Sequence, residues 1–515
     1  MLKVLSAEAV RDLDRRAAEA GVHALLLMES AGRGAAEEIR RWQPNLACGR
    51  VLALCGKGGN GGDALSALRW LGLWGAAVQA VLLGEPQGEA LAQARAFAAS
   101  FPQRLRQVRT AKELRQAIST VGEVDLVLDG ILGLGVRGPA EGLARRAIEE
   151  LNRGGFPAVA LDLPSGLIAD RGDVPGPAVR AQLTLAMGAL KPCHLLPPAA
   201  ELCGEVRLVP VAYPPPLWAE APPLAWVVDS AHCAQLIPPR PRFGHKGTFG
   251  RVLVVGGAVG MAGAVALATE AALRAGAGLV HVLTPEPVFP IVAGLVPEAL
   301  VHPGKSTNGM FSPAAAEEAL NWAQGAEVVV LGPGLGRGEG PQRVVEALWE
   351  SEITRVVVDA DGLFALAQNR KLLGSRRGGT VLTPHPGEFQ RLVGVPTQEV
   401  LAEKIRWARE KAQEWKCVVV LKGPPTAVAD PEGQVFLNTT GNTVLAHGGS
   451  GDVLAGLIGG LWAGGISPVD AACLAAFVHG RAAELASAGS SERALLPRHV
   501  LHSLPQAFAT LETAQ

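Results

Sequence analysis

The chain has 515 residues, 48% hydrophobic and 18% charged, with a formal net charge of −1. That length exceeds one ordinary core and predicts two to four domains, and the composition excludes a disordered chain. A near-neutral balance, with no basic run interleaved with aromatics, excludes recruitment of nucleic acid or an anionic membrane by a global field.

At the start of the chain, Ser6 before Ala7, Glu8 and Ala9 predicts a helix N-cap with an acidic first turn, and Met1 to Ser6 carries no long apolar region. Candidate strands follow at Val51–Cys55, Val78–Leu83, Val124–Leu128, Ala158–Leu161, Leu183–Met187 and Val206–Val209. Helical patterns such as Gly62–Leu73 and Glu89–Ser100 lie between them, the rhythm of a mostly parallel, doubly wound sheet. Ligands bind such sheets beyond the C-terminal strand ends. There the first strand opens Gly56-Lys57-Gly58-Gly59-Asn60-Gly61-Gly62-Asp63, a Gly-rich turn without the G-x-G-x-x-G spacing. Asp129-Gly130 and Asp162-Leu163-Pro164-Ser165-Gly166 open after later strands. Asn60, Asp129 and Ser165 offer three hard oxygens, as a monovalent or divalent cation needs; plain strand-to-turn punctuation is the alternative.

Pro214-Pro215-Pro216 and Pro222-Pro223 predict a stiff, extended segment without helix or ladder capacity. This places a linker at 213–224 between domains 1–212 and 225–515. The strand rhythm resumes with Val252–Val255, Leu279–Leu283, Val328–Leu331, Val356–Val358, Val381–Leu382 and Val418–Leu421. Five clusters are expected to converge at strand ends. They are His245-Lys246-Gly247 with Gly256-Gly257-Ala258; Gly332 to Gly336; Asp359 to Gly362; Thr383-Pro384-His385-Pro386-Gly387-Glu388; and Lys422 to Thr426.

Last comes Gly441 to Asp452, whose end, Gly448-Gly449-Ser450-Gly451-Asp452, runs into the apolar helical stretch from Val453. Small residues at a helix start let backbone N–H groups and the positive dipole end approach phosphate oxygens. An acid there suits removal of a proton from a hydroxyl that attacks a phosphoryl group, the alternative being an ordinary Gly-rich helix entry.

The seven cysteines, Cys48, Cys55, Cys193, Cys203, Cys233, Cys417 and Cys473, are odd in number and form no CxxC. Reduced thiols and a cytoplasmic location are expected, without zinc or a disulfide framework. No apolar stretch free of charge and glycine is long enough to span a bilayer. The pairs Arg15-Arg16 and Arg376-Arg377 predict solvated surface.

From about 240 to 505 the ordered motifs HKGTFGRVLVVGG, GMAGA, GPGLG, DADGL, TPHPGEF, LKG and NTTGN…GGSGDVLAG resemble the ribokinase-like family, and within it the ADP- or ATP-dependent NAD(P)H-hydrate dehydratases. That resemblance implies a C-terminal ribokinase-like fold with Asp452 as the base that deprotonates the hydroxyl of the hydrated nicotinamide ring. Phosphate is then eliminated and the reduced dinucleotide restored. It implies that Lys422, Gly423, Pro424, Pro425, Thr426, Asn442, Gly448, Gly449, Ser450 and Gly451 hold ADP or ATP. Ala258, Gly334, His385, Pro386, Gly387, Glu388, Phe389, Gln390, Arg391 and Asp452 hold the hydrated dinucleotide, and Mg²⁺ bridges phosphates mainly through waters. Phe364 and His447 replace the family's usual Asn and Thr near the ligands.

Residues 1–212, with LLLMESAGRGAA near their start, resemble the NAD(P)H-hydrate epimerase domain, which implies a Rossmann-like three-layer α/β sandwich. By that resemblance Asn60, Asp129 and Ser165 bind K⁺. The hydrated dinucleotide is held by Gly59, Asn60, Gly61, Gly62, Asp63, Gly133, Leu134, Gly135, Val136, Arg137, Gly138, Pro139 and Asp162. Asp162 is the acid/base that inverts C6, with Lys191 as helper. Gly59, Ala64 and Leu134 depart from the family's Asn, Gly and Thr, and each lost side-chain hydrogen bond removes about 1 kcal/mol. The combined expectation is one chain repairing both epimers of hydrated NADH and NADPH, as a homo-oligomer. Its rivals are a ribokinase-like vitamin kinase, or a dehydratase with a non-catalytic N-terminal module.

Overall fold

The computed structural model describes residues 1–352, 355–376 and 378–513. Two compact units form, 2–224 with 401–403, and Met1 with 225–400 and 404–515.

In the N-terminal unit the expected apolar runs are strands at Arg50–Cys55, Ala77–Leu83, Leu126–Gly130, Ala158–Leu161, Leu183–Met187 and Glu205–Val209. An edge strand, Leu105–Val108, adds to them. Spatial order begins at Leu105–Val108 and passes through Ala77–Leu83 to Arg50–Cys55, then runs in chain order from Leu126–Gly130 to Glu205–Val209, all parallel. Alternation within a strand serves two cores. Val51, Ala53 and Cys55 pack with helices Ala24–Trp42, Gly59–Leu73 and Gly88–Ser100, while Leu52 and Leu54 pack with Ala111–Val121 and Gly142–Gly154. Burial on both faces is why these strands read as continuous apolar runs. The chain reverses its winding between Arg50–Cys55 and Leu126–Gly130, and a crevice opens beyond their C-terminal ends. The Ser6 cap forms, its Oγ accepting from the Ala9 amide at 3.1 Å.

The segment 213–224 differs from its expectation. Pro215–Glu220 is a helix with proline in its first turn, where amide hydrogens have no intrahelical acceptor to lose. The Lys3 ammonium donates to the carbonyls of Trp218, Ala219 and Ala221 at 2.7, 3.0 and 3.0 Å, and Tyr213 stacks on Trp218. These contacts make the segment part of the N-terminal unit.

The C-terminal sheet runs, in space, Ala225–Val227, Val435–Asn438, Thr426–Ala429, Val418–Leu421, Gly379–Leu382, Arg355–Val358, Val328–Leu331, Arg251–Val255, Leu279–Pro285 and Leu300–Gly304. It is parallel from Val418–Leu421 onward, while Thr426–Ala429 pairs antiparallel with both its neighbours. Helix Ser450–Ala463 is apolar all round because it is covered all round: a Cβ on Gly456 would lie 2.0 Å from the Ala268 carbonyl, and one on Gly459 2.4 Å from the Val330 side chain.

Arg376 is not solvated. Its Nη1 donates to the carbonyls of Leu348 and Trp349 at 3.1 and 2.8 Å, and burial pulls the guanidinium down to about 10. Cys55, Cys193, Cys203, Cys233, Cys417 and Cys473 are free and buried. Arg377 and the Cys48 side chain lie outside the described residues. Among the described residues no helix is long and apolar enough to cross a membrane.

Candidate functional site

The N-terminal crevice is a cavity of about 730 Å³. Gly59, Asn60, Gly61 and Asp63 line it from the first βα turn, Gly133, Leu134 and Gly135 from the loop after Leu126–Gly130, and Asp162 and Lys191 from the later strand ends. Gly62, Val136, Arg137, Gly138 and Pro139 are not among its lining residues; Gly62 instead packs against Met28 and Ala90. A Cβ on Gly59 would meet nothing within 4 Å, so the family's Asn side chain would have projected into open space here.

Asp162 occupies a left-handed backbone conformation, φ 64°. For a non-glycine residue this costs of order 1 kcal/mol or more and must be held by its surroundings. Three contacts hold it. The Lys191 ammonium, fully buried, bonds Oδ1; the Met187 amide donates to the same oxygen at 3.0 Å; and His194 Nε2 lies 2.7 Å from the Asp162 carbonyl. The Lys191 amide donates to His194 Nδ1 at 3.1 Å, so the ring proton sits on Nε2 and points at that carbonyl. Burial, with Lys191 nearby, pulls the imidazole down to about 4, which keeps this tautomer neutral at ordinary pH.

Asp63 is pushed well above the usual carboxylate range by burial and then by Asp162 and Asp14. Asp14 and Tyr213 line the same cavity and are joined, the Tyr213 hydroxyl donating to Asp14 Oδ1 at 2.7 Å. Neither was legible as a site residue: Asp14 lies on an ordinary amphipathic helix, and Tyr213 within the proline-rich segment read as linker.

Asn60, which lines the cavity, and Ser165, which pairs with Asp129, both reach the Leu132 carbonyl. Ser165 Oγ donates to Asp129 Oδ1 at 2.5 Å, the Ser165 amide to Oδ2 at 2.8 Å, and Asn60 Nδ2 to the Leu132 carbonyl at 2.7 Å. Asn60 Oδ1 is buried with no hydrogen-bond partner. Asp129 is fully buried, and desolvation pushes it up to about 6 against its hydrogen bonds from Ser165 and Ile131. An orphan amide oxygen linked through the Leu132 carbonyl to a hydroxyl and its buried carboxylate fits a hard cation of low charge.

In the C-terminal unit the strand ends bring Asp359, Thr383, Lys422 and Glu388 together beside Gly451 and Asp452. Asp359 is buried, and its Oδ1 accepts from Thr383 Oγ1 at 2.7 Å and from Lys422 Nζ at 2.6 Å. Glu388 Oε2 is 3.8 Å from the same ammonium. Burial opposes the Lys422 charge, but Asp359, Glu388 and Asp452 together outweigh it and hold it above its ordinary value. Asp452 is pushed up to about 7, by burial first and then Asp359, with Lys422 opposing. Gly449 caps the helix in the left-handed region, φ 101°, and a Cβ on Gly451 would sit 3.1 Å from Lys422 Nζ. Glycine at 451 is what lets the helix start approach that ammonium. Ser450 Oγ is buried and has no hydrogen-bond partner.

The loop after Val418–Leu421 is held from below. Lys404, 1% exposed, donates to the carbonyls of Lys422, Gly423 and Pro425 at 3.0, 3.0 and 2.6 Å, while burial pulls its ammonium down to about 7. A lone lysine at the start of a charged helix gave no sequence signal for this. Loops 256–261 and 332–336 interlock, since a Cβ on Gly256 would lie 2.2 Å from the Pro333 carbonyl and one on Gly334 2.7 Å from that of Met261.

Other expected residues are engaged differently. His385 caps Pro386–Val393, its Nδ1 accepting from the amides of Gly387 and Glu388 at 3.1 and 3.3 Å, while Glu388 Oε2 accepts from the His385 amide at 2.8 Å. Phe389 is turned into the core beside Trp415. Asn442 Nδ2 donates to Ser487 Oγ at 2.7 Å. Phe364 lies under the Arg337 guanidinium, 4.3 Å from ring centroid to cation. His245-Lys246-Gly247 does not converge with the rest. It precedes strand Arg251–Val255, so it lies at the opposite edge of the sheet: a Cβ on Gly278, just before strand Leu279–Pro285, would strike the Lys246 carbonyl at 1.8 Å. Gly250 abuts Ala463, the far end of the helix that Ser450 begins, roughly 20 Å away at 1.5 Å per residue. Among the described residues no group of three or more His, Cys, Asp or Glu side chains is placed to hold a metal ion.

Residues 252–506 match the family model described as NAD(P)H-hydrate dehydratase, and 24–193 match that of the YjeF-related protein N-terminus. A bifunctional NAD(P)H-hydrate repair enzyme of Moorella thermoacetica is 37% identical over 515 residues, covering 99% of this chain and 97% of its own length. Its namesake in Escherichia coli K12 is 34% identical over 502 residues, covering 97% and 92%. The solved ADP/ATP-dependent NAD(P)H-hydrate dehydratase of Bacillus subtilis, co-crystallised with ATP and Mg²⁺, is 34% identical. It covers 56% of this chain and 99% of its own, with a TM-score of 0.50.

Proposed function

The chain belongs to the family of bifunctional NAD(P)H-hydrate repair enzymes, and we propose that its two sites divide that repair. The N-terminal site interconverts the R and S hydrates of NADH and NADPH; the C-terminal site uses an adenine nucleotide to dehydrate the S form.

One observation carries the C-terminal reading: Asp452 stands in the first helical turn, one residue from a glycine whose missing side chain makes room for Lys422. Lys422 is placed to bind transferring phosphate, and Asp359 holds it there. Asp452 takes the proton from the ring hydroxyl as that oxygen attacks phosphorus. The N–H groups of Gly449, Ser450 and Gly451 bear on the transferring charge, aided by the helix dipole. Departure of phosphate with loss of a ring proton restores the double bond. Mg²⁺ would be held mainly by the nucleotide phosphates and waters and would neutralise phosphate charge, with Asp359 and Asp452 as acids available to its waters. ADP is the expected co-substrate, giving AMP and phosphate.

In the N-terminal half, Asp162 handles the proton of the C6 hydroxyl and Lys191 fixes its carboxylate. K⁺ would be held by Asn60 Oδ1, Asp129 and Ser165, and would order the two loops those residues join.

The test is a mixture of both NADPH-hydrate epimers with ADP, Mg²⁺ and K⁺, followed by nicotinamide absorbance. Full recovery faster than spontaneous epimerisation is expected. For Asp162→Asn, recovery is expected to stop at one epimer, and full recovery by that variant would remove Asp162 from its role. A stable phosphomonoester in place of free phosphate would favour the vitamin-kinase reading.

A further inference from the structure

Inverting a hydroxyl-bearing carbon removes the hydroxyl from one face of a ring and restores it on the other. Two proton-handling groups must therefore reach the same carbon, one for departure and one for return. Asp162 is one such group. We propose that Asp14, hydrogen-bonded by Tyr213, is the second acid–base residue of the N-terminal cavity; this rests on the epimerase reading.

Four observations support it. Asp14 and Tyr213 both line the cavity that Asp162 and Lys191 line. The Tyr213 hydroxyl donates to Asp14 Oδ1 at 2.7 Å, which orients the carboxyl and leaves its other oxygen for a ligand. The tyrosine is itself fixed, stacked on Trp218 and seated against Gly188, where a Cβ would come within 2.9 Å of its ring. Gly188 directly follows Met187, whose amide holds Asp162, so both acids are placed by the end of one strand. Charge agrees with geometry. Burial first and Asp162 next raise Asp14 above its ordinary value, against the Tyr213 bond and Lys191, which favours its acid form, while Lys191 keeps Asp162 paired.

The step balances without an oxidant. Protonated Asp14 gives its proton to the C6 hydroxyl, and the C6–O bond breaks with its electron pair leaving on water. The ring nitrogen lone pair forms a C=N bond to C6. Water then adds to C6 from the other face, the C=N pair returns to nitrogen, and Asp162 takes the proton released. In the opposite direction the two acids exchange roles.

The experiment uses the full chain and the isolated R-hydrate of NADPH, coupled to the chain's own ADP-dependent dehydration. Asp14→Asn keeps the shape and can still accept from Tyr213. It is expected to lower kcat for epimerisation by ~100-fold or more, with KM within about threefold, while dehydration of the S-hydrate is unchanged. Tyr213→Phe removes a bond that favours the Asp14 carboxylate, so the pH limb belonging to Asp14 is expected to move to higher pH. Asp63, Asp162 and Lys191 act on Asp14 from other elements of the cavity, Arg11 lies one turn before it on its own helix, and Lys57, Glu89 and Glu141 also line the cavity. All are intact in both variants, so the shift reports on Asp14. Wild-type kcat in Asp14→Asn, an unmoved limb in Tyr213→Phe, or a loss confined to KM would each overturn the proposal. Wild-type protein that converts no R-hydrate beyond the spontaneous rate would instead overturn the epimerase reading, and this proposal with it.

Discussion

Lys422 and Asp359 are 2.6 Å apart, and a Cβ on Gly451 would lie 3.1 Å from the lysine nitrogen and 3.4 Å from Asp359 Oδ2. The helix start that carries Asp452 therefore rests directly on a buried ion pair. Gly451→Ala is expected to push that pair aside. A misplacement of about 1 Å at a reacting centre costs ~100-fold in rate, so the shift of a few tenths of an ångström that the new Cβ demands is expected to cost several-fold. Steady-state dehydration of the S-hydrate should fall accordingly, with epimerisation of the R-hydrate unaffected.

Asp452 is pushed up to about 7 by burial and neighbouring acids. Below that pH the unliganded enzyme holds it protonated, unable to accept a proton. The kcat/KM for dehydration is therefore expected to rise with pH through a midpoint near 7 and level off roughly one unit above it, since kcat/KM reports the free enzyme. Asp452→Asn should abolish the reaction without changing R–S interconversion. A flat profile between about pH 6 and 8, roughly one unit either side of that value, would remove Asp452 as the base. Stability carries the opposite sign: between the unfolded value of 3.8 and about 7 the folded state binds more protons, so this residue's contribution falls as pH rises.

Lys404→Met leaves the Lys422, Gly423 and Pro425 carbonyls without their donor. Each buried unsatisfied group costs about 1–3 kcal/mol. Thermal unfolding of the C-terminal unit should begin at lower temperature, and KM for ADP should rise more than kcat falls. Lys404→Arg should recover part of both. An unchanged nucleotide KM would separate Lys404 from the nucleotide loop.

Asp129→Asn removes the charge from the proposed cation site. In the wild type, K⁺ is expected to raise the thermal midpoint of the N-terminal unit in a concentration-dependent way, as a ligand of the native state does. The variant should lose that dependence, and Asn60→Ala should weaken it. Choline at equal ionic strength should give no such rise; if it did, the effect would be screening.

The sequence by itself determined the two doubly wound sheets, because buried parallel strands are written as short apolar runs that local pattern reveals. Ala158–Leu161, Val328–Leu331 and Val418–Leu421 begin and end where the pattern placed them. It also marked the small-residue entry to Asp452, since close backbone approach demands glycine, and it singled out Asn60, Asp129 and Ser165, whose proposed role as cation ligands the K⁺ experiment tests. Tertiary structure alone decided which charges face one another. Asp14 and Tyr213 are 199 positions apart and Lys422 and Asp359 63, and no local pattern encodes such meetings. It also decided that the 213–224 segment folds into the N-terminal unit, because the Lys3 contacts that fix Pro215–Glu220 come from the far end of that unit. His245-Lys246-Gly247 shows the same division. Its residue types suited a site, but a segment entering a strand lies at the opposite edge of a parallel sheet from one leaving it, so chain direction excluded it from the cluster that strand exits share.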